Sequence, residues 1–295
     1  MTRRAWVWLL LGCALALRSA WAQPAPADAL RERFAAIRAQ GEGRLVQRNV
    51  FLQSTEAADR MQGEVDALVD RPYAELRDAM VQPGAWCDVL ILHLNVKYCR
   101  PEKAAGQDEL VTGIGRKFDQ PLAKAYWVRF AFRVPSASDA YLDVVLQAPT
   151  GPLGTQDYRL VVRAVPFTAG QTLLQMTYSY SYGLAARWAM QAYLATIGSD
   201  KRGFSVVGRR ADGQPVLVGG IRGVLERNTL RYYLAIESYL EAQSQPRAER
   251  AEKSLQLWFD ATERYASQLH EVDRDAYLEM KRRELLRQQT EAPPR

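Results

Sequence analysis

The sequence predicts an α+β domain in which a curved antiparallel sheet grips one long helix. Runs of alternating apolar and polar residues fill the middle of the chain, and the loops between them are too short for crossover helices. A long amphipathic segment follows at 221–242. The 295-residue chain is 48% hydrophobic and 24% charged, as in ordinary globular proteins. This composition excludes wholesale disorder and a multi-span membrane protein.

The first 22 residues have the pattern of an export signal. Two arginines precede an apolar stretch at 5–17, and residues 20–22 form a small-x-small cleavage site. We therefore expect a periplasmic protein whose mature chain begins at Gln23. An alternative interprets residues 10–13 as a lipobox, in which an acylated Cys13 would anchor a lipoprotein to the membrane.

Charge and histidine content narrow the classes of function. The formal charge is +6, but three of the 39 basic residues lie in the predicted signal, which leaves +3 for the mature chain. So mild an excess does not indicate a nucleic-acid partner. The two histidines, His93 and His270, lie far apart in the sequence. We therefore expect no metal site and no cofactor.

Two cysteines remain after the predicted signal is removed. Cys87 and Cys99 would enter an oxidising compartment, where they are expected to form a disulfide. The chain must then reverse between them, near Asn95, because bonded cysteines have Cα atoms only about 4.4 to 6.8 Å apart. The alternative is a pair of reduced, buried thiols.

The N-terminal part alternates helices with one strand. Leu30, Phe34 and Ile37 recur at helical spacing. Residues 63–70 alternate as in a strand, and a helix from Pro72 to Met80 follows. A second helical piece is predicted from Gly84 toward His93.

Four period-two runs then predict an antiparallel meander, with strands at 126–134, 141–146, 158–165 and 173–182. One face of the first and last runs is strongly aromatic. Its large side chains are Tyr126, Phe130, Phe132, Met176, Tyr178, Tyr180 and Tyr182.

Beyond the meander the pattern is mainly helical. A helix is predicted at 184–197, and two strand candidates at 204–210 and 215–219 flank a hairpin turn. In the long helix at 221–242, an apolar stripe includes Ile221, Val224, Leu225, Tyr232, Ile236 and Tyr239. Two further amphipathic helices are predicted within 247–287. The final helix carries a basic cluster, Lys281-Arg282-Arg283, that we expect to be a solvated face.

This order of elements resembles the helix-grip fold of the START and Bet v1-like superfamily, also described as SRPBCC or polyketide cyclase-like. The resemblance is carried by residues 63–70, by 71–80 leading to Trp86, and by the helix at 221–242. The stretches 86–99 and 185–203 also resemble those of an uncharacterised exported proteobacterial family. That kinship implies no activity.

The signal pattern, the helical patterns and the resemblance together divide the chain into four parts. A signal peptide at 1–22 is followed by an N-terminal helix and linker at 23–43. The START-like helix-grip domain occupies 44–243, and a C-terminal helical extension occupies 244–295. The extension and the helical insertion at 184–197 are departures from the superfamily pattern.

A sheet that curves around one helix can leave a concave, mostly apolar space, which is the usual form of a ligand site. The sequence therefore predicts binding of a lipid or another hydrophobic small molecule, without covalent chemistry and so without catalytic residues. The candidate ligand-binding residues are Tyr126, Phe130, Phe132, Met176, Tyr178, Tyr180, Tyr182, Asn228 and Tyr232. An ordinary filled core is the alternative interpretation of the same residues.

Two other functions stay open. The resemblance permits an enzyme like the polyketide cyclases and dehydratases, in which cavity phenols and carboxylates move protons. A third hypothesis is an envelope interaction module, in which the C-terminal helices contact another protein or the membrane surface.

Three further motifs have structural interpretations that we prefer. Glu64 and Asp66 share a strand face, as in an acid–base pair or simply a polar outer face. His93 follows Asp88 by five residues, but no serine elbow accompanies them, so a structural histidine is expected. The isolated glycines at 113 and 115 lack the context of a dinucleotide-binding loop.

Overall fold

The computed structural model describes residues 25–40, 45–47, 49–57, 59–183 and 201–293. The predicted signal peptide with Cys13 and the predicted helix at 184–197 lie outside these residues.

The described helices are α1 (Pro26–Ala39), α2 (Tyr73–Met80), α3 (Pro83–Leu90), α4 (Gly220–Ala242), α5 (Arg250–Glu263), α6 (Ala266–Leu269) and α7 (Arg274–Thr290). The described strands are β1 (Leu45–Gln47), β2 (Val50–Glu56), β3 (Arg60–Val69), β4 (Val96–Ala104), β5 (Gln107–Ile114), β6 (Tyr126–Ala137), β7 (Leu142–Thr150), β8 (Thr155–Thr168), β9 (Gln171–Tyr182), β10 (Val206–Arg209) and β11 (Pro215–Leu217).

Nine of the described strands form one antiparallel sheet in the order β1-β2-β3-β9-β8-β7-β6-β5-β4. Strand β3, which precedes the two short helices α2 and α3, pairs with β9 at the end of the meander, from Arg60 opposite Ser181 to Val69 opposite Thr172. Helix α4 packs against the sheet through a continuous apolar core. This arrangement confirms the predicted helix-grip fold.

Helix α4 lies very close to strand β3 at Gly63. A Cβ atom built on Gly63 would lie 2.2 Å from Oγ1 of Thr229 on the helix. Only glycine leaves room for this approach. The residue therefore sets how near the helix can come to the sheet at this point.

The other face of the sheet is partly covered by α1. Its apolar side packs Phe34 against Phe51 of β2, with ring centroids 5.8 Å apart. Arg33 binds Glu64 Oε2 at 2.7 Å and Asp66 Oδ2 at 3.0 Å. These carboxylates therefore hold α1 on the sheet and do not form a separate acid–base pair.

The period-two runs correctly locate β6 to β9, but β1, β2, β4 and β5 are not predicted from the sequence. Strand β4 carries several charged residues and Pro101, which a sheet tolerates here because β4 is an edge strand. The candidates at 204–210 and 215–219 do form a hairpin, β10–β11. It is a separate two-stranded sheet.

The predicted disulfide is present and joins α3 to β4. The Cα atoms of Cys87 and Cys99 lie 5.1 Å apart. The chain turns between them at residues 91–95, where the reversal was expected. The bridge therefore fixes the turn that precedes the edge strand.

The C-terminal helices share the core of the helix-grip unit. Trp258 of α5 donates a hydrogen bond from Nε1 to the carbonyl oxygen of Arg231 on α4 at 3.1 Å. Its ring stacks on Tyr277 of α7, with centroids 5.1 Å apart. Helix α7 then runs beside β4, where Gln288 Oε1 accepts the Cys99 backbone N–H at 2.7 Å. The helix thus covers part of an otherwise open sheet edge.

A fully buried ionic cluster fastens α7 to the sheet. The side chains of Lys97, Lys281 and Glu284 have no solvent exposure. Glu284 binds Lys97 at 3.0 Å and Lys281 at 2.7 Å. Lys281 also donates hydrogen bonds of 2.8 Å to the carbonyl oxygens of His93 and Val96.

The expectation of a solvated basic face on the last helix is wrong for Lys281. Helical spacing places this residue on the same inner face as Tyr277 and Glu284, and all three are buried. Burial lowers the pKa of Lys281 to about 8, although Glu284 opposes the shift. The neighbouring Arg282 does reach the surface, where it binds Glu252.

Replacing Glu284 by glutamine should strongly destabilise the fold. The Glu284→Gln variant leaves Lys97 and Lys281 buried without their counter-charge, which costs about 3–5 kcal/mol of unfolding free energy. Urea denaturation of the full chain measures this loss. The control is Glu279→Gln on the same helix, because Glu279 is 71% exposed and pairs with Arg283 at the surface. It should cost less than about 1 kcal/mol, and similar small losses in both variants would contradict the assigned role of the cluster.

Candidate functional site

A cavity of about 120 Å³ lies between the sheet and α4. Strands β5 to β9, helix α4 and the turn before β4 all contribute to its wall. The lining residues are Leu90, His93, Asn95, Val96, Thr112, Ile114, Phe130, Leu146, Pro152, Tyr158, Arg159, Leu160, Tyr178, Asn228 and Tyr232. The lining is mainly apolar and aromatic, with a few polar groups among these residues.

The structure brings together some of the predicted site residues and separates others. Phe130, Tyr178, Asn228 and Tyr232 line the cavity. Phe132 and Met176 are buried in the main core beside it, without lining it.

Three predicted tyrosines lie elsewhere. Tyr180 and Tyr182 belong to a second apolar cluster with Met61. The prediction that Tyr126 lines the cavity is wrong, because this residue lies at the surface and is 51% exposed. Tyr126 is the first residue of β6. The alternation of apolar and polar residues extends to this end of the strand, but the buried core does not reach it.

Three aromatic side chains form one wall of the cavity. The ring centroids of Tyr178 and Tyr232 are 5.2 Å apart, and those of Tyr158 and Tyr178 are 6.2 Å apart. Thr155 Oγ1 donates a hydrogen bond to the Tyr158 hydroxyl at 3.1 Å. Burial raises the pKa of all three phenols, so they stay protonated at neutral pH.

His93 lines the cavity and carries a buried ring nitrogen without a well-formed hydrogen bond. Its residue is only 2% exposed, and its ring stacks on Tyr232 with centroids 4.6 Å apart. The backbone N–H of Asn95 donates to His93 Nδ1 at 3.1 Å, which assigns the ring proton to Nε2. Within the described part of the chain, Nε2 has no hydrogen-bond partner.

Burial lowers the pKa of His93 well below its usual value. The positive charges of Arg231, Lys281 and Lys117 lower this pKa further, whereas a hydrogen-bonding contact with the Asn228 side chain raises it. This contact does not reach the geometry of a hydrogen bond at Nε2. The imidazole is therefore neutral at physiological pH. A structural role is what we expect for His93 from the sequence, and no local pattern indicates that one ring nitrogen lacks a well-formed hydrogen bond.

Two hydrogen bonds between Asn95 and Gly115, the residue that follows β5, fix the backbone beside His93. Asn95 Nδ2 donates to the Gly115 carbonyl oxygen at 2.6 Å, and the Gly115 N–H donates to the Asn95 carbonyl oxygen at 2.7 Å. A Cβ on Gly115 would lie 2.5 Å from the Gln120 side chain. The glycine thus has a structural role in this turn.

A second ionic cluster lies near His93. Glu271 binds Arg231 at 2.9 Å and also pairs with Lys117 and Lys201. Arg231 donates a further hydrogen bond to the Leu269 carbonyl oxygen at 3.0 Å. This arginine therefore joins α4 to the segment before α7.

Asp88 does not pair with His93. It lines a separate surface depression with Tyr239 and Arg250. The catalytic Asp–His pair considered from the sequence is therefore not formed.

A larger groove of about 650 Å³ lies near the other end of α4. Its lining includes Asp70, Arg71, Glu237, Glu241 and Arg264, so its character is polar and mixed in charge. Among the described residues, no group of three or more His, Cys, Asp and Glu could hold a metal ion. None of the described helices is long and apolar enough to cross a bilayer.

The strand order and the gripped helix define a helix-grip protein. No protein-family model matches the sequence, and no curated protein sequence matches it. Three solved structures illustrate the similarity found at the level of the fold.

A fragment of a StAR-related lipid transfer protein from Xanthomonas axonopodis is 9% identical, with a TM-score of 0.40, over 67% of this chain and 96% of that chain. Human StAR-related lipid transfer protein 5 is 12% identical, with a TM-score of 0.32, over 52% and 80%. Norcoclaurine synthase from Thalictrum flavum, in complex with dopamine and hydroxybenzaldehyde, is 14% identical, with a TM-score of 0.33, over 54% and 89%. Any function of this chain must be argued from its own site.

The ionic cluster around Glu271 should make folding sensitive to acid. Burial raises the pKa of Glu271, but Lys117, Arg231 and Lys201 outweigh this effect and lower it to about 2. Its stabilising effect is complete above its ordinary pKa of 4.5 and is lost as the pH falls toward 2. The expected loss is about 3 kcal/mol of unfolding free energy.

Urea denaturation between pH 7 and pH 2 tests this expectation. The Glu271→Gln variant should be less stable at neutral pH and should lose less stability on acidification. The Glu279→Gln variant provides an exposed control, which should follow the wild-type curve closely. An unchanged acid dependence in Glu271→Gln would show that other groups cause it.

Proposed function

We propose that this protein binds a small hydrophobic molecule in the cavity between the sheet and α4. The observation that supports this most directly is the cavity itself, an apolar and aromatic space that contains a few convergent polar groups. Such spaces are typical of ligand sites. The helix-grip fold places the cavity beneath its long helix, where side chains from several strands meet.

The volume argues for a ligand of about one ring. A buried apolar void of roughly 150 Å³ is large enough to bind benzene, whereas drug-sized ligands occupy about 300–1,000 Å³. At about 120 Å³, this cavity belongs to the smaller class. A whole lipid would require the wall to move apart. The sequence predicts a lipid or another hydrophobic small molecule as the ligand. The volume of the cavity favours the small molecule over a lipid.

Binding is also favoured over proton-transfer catalysis. None of the described residues that line the cavity is an aspartate or a glutamate. The phenols of Tyr178 and Tyr232 are held protonated, and His93 is held neutral. The polyketide cyclase-like alternative therefore lacks the carboxylate that its proposed chemistry uses.

The C-terminal helices give less support to an envelope interaction module. The side chains of Leu255, Trp258 and Tyr277 are buried in the core of the domain itself. These apolar faces already have a partner within the chain. The structure therefore favours ligand binding over docking through the extension.

A filled-cavity variant tests the proposal. Leu146→Phe should occupy part of the void and weaken binding of toluene at least about tenfold, measured by calorimetry on the full chain. Leu142→Phe is the matched control, because Leu142 lies on the same strand and is equally buried but does not line the cavity. It should destabilise the fold by about 1–3 kcal/mol and leave toluene affinity nearly unchanged.

Two results would contradict the proposal. The first is that wild-type protein binds no single-ring compound, and none is recovered when protein from its native host is extracted and analysed by mass spectrometry. The second is equal toluene affinity in wild-type and Leu146→Phe protein.

We further propose that the protein is exported to the periplasm after cleavage behind Ala22. The support is the basic, apolar and small-residue pattern of residues 1–22. N-terminal sequencing of the protein from a periplasmic fraction should begin at Gln23. Acylation at Cys13 with recovery in the membrane fraction would favour the lipoprotein alternative, and an uncleaved cytoplasmic chain would contradict export.

A further inference from the structure

We propose that the cavity selects ligands that carry an oxygen acceptor, a carbonyl or carboxylate oxygen, and that His93 Nε2–H donates a hydrogen bond to it. This inference rests on the proposed function and specifies the chemistry of the ligand. The carrying observation is a buried N–H donor on a cavity-lining residue that forms no hydrogen bond of normal geometry in the described protein, since the Asn228 side chain lies near the ring without completing one. Buried polar groups are nearly always paired, so such a donor indicates a missing partner.

The position of the donor is fixed from three sides. The His93 carbonyl oxygen accepts from Lys281 at 2.8 Å, and its Nδ1 accepts from the Asn95 N–H at 3.1 Å. Its ring lies nearly parallel to Tyr232, with 22° between the planes. Because these contacts already orient the imidazole, little conformational freedom remains to be lost when a ligand binds.

The charges around the ring keep the imidazole neutral, so that it acts through its Nε2–H as a hydrogen-bond donor. Arg231, Lys281 and Lys117 act on the imidazole as positive charges, and each of them is paired with the carboxylate of Glu271 or Glu284. A carbonyl or carboxylate oxygen accepts from this donor, whereas an ammonium group has no acceptor. The aromatic wall of Phe130, Tyr178 and Tyr232 would contact the apolar ring of the same ligand.

A pair of ligands with nearly the same shape tests the inference. Acetophenone has a carbonyl oxygen where isopropylbenzene has a methyl group. The wild-type chain should bind acetophenone about tenfold more tightly than isopropylbenzene, the effect expected of one buried hydrogen bond. Benzoate shows which acceptor is preferred, because tighter binding than acetophenone assigns a carboxylate and weaker binding assigns a carbonyl.

His93→Phe should remove most of the preference for acetophenone over isopropylbenzene, because phenylalanine keeps an aromatic ring but has no N–H donor. His270→Phe is the matched control, since His270 is the other histidine of the chain and binds Glu263 at the surface. This control should retain the wild-type preference.

If His93→Phe does not fold, an NMR measurement on the His270→Phe chain tests the role of His93 instead. In the His270→Phe chain, His93 is the remaining histidine, so its ring nitrogens give an unambiguous ¹⁵N signal. Acetophenone should shift the Nε2 resonance substantially more than isopropylbenzene does.

The outcomes separate the two proposals. If neither compound nor benzoate binds, the proposed function fails. If isopropylbenzene binds as tightly as acetophenone and benzoate and all three shift Nε2 alike, the cavity binds ligands but the role of His93 is wrong.

Discussion

The buried contact among Lys97, Glu284 and Lys281 is the constraint on which the site depends. It joins the last helix to an edge strand that would otherwise present open backbone groups. Two cations against one carboxylate are costly to bury, so hydrogen bonds to further acceptors are needed to offset the cost. Lys281 meets this condition by donating to the carbonyl oxygens of His93 and Val96. The helical extension thus fixes the backbone that presents the cavity histidine.

The small size of the cavity follows from close approach and large side chains together. Gly63 lets α4 come near the sheet, where Thr229 occupies the space of a missing side chain. Tyrosines from β8, β9 and α4 then fill most of the remaining concave surface, with Tyr178 at their centre. The remaining cavity has aromatic walls. One of its lining residues, His93, has a ring nitrogen without a well-formed hydrogen bond. Geometry and polarity therefore agree with the small ligand with one polar end that we propose.

The regular parts of the fold were predictable because they repeat. Strands β6 to β9 and helix α4 follow their hydrophobic periods closely, and the disulfide was predictable from two cysteines in a chain that we expect to be exported. Strands β4 and β5 were missed because charged residues and Pro101 conceal the alternation. The site was harder to predict. The alternation of apolar and polar residues places Tyr126 on the buried face, but Tyr126 is the first residue of its strand and lies at the surface. The unpaired nitrogen of His93 and the burial of Lys281 depend on residues distant in sequence, which local patterns do not report.

The buried cluster of Lys97, Glu284 and Lys281 also constrains the order in which parts of the chain fold. Lys97 and Glu284 are 187 positions apart, so the lysine is synthesised long before its counter-charge exists. Until α7 arrives, the edge strand has an unbalanced cation to bury and the His93 carbonyl oxygen lacks its Lys281 donor. The sheet and α4 can collapse earlier, but the turn that carries His93 gains its hydrogen bond from Lys281 only when the C-terminal helix docks. The proposed binding site is therefore completed only after nearly the whole polypeptide has been made.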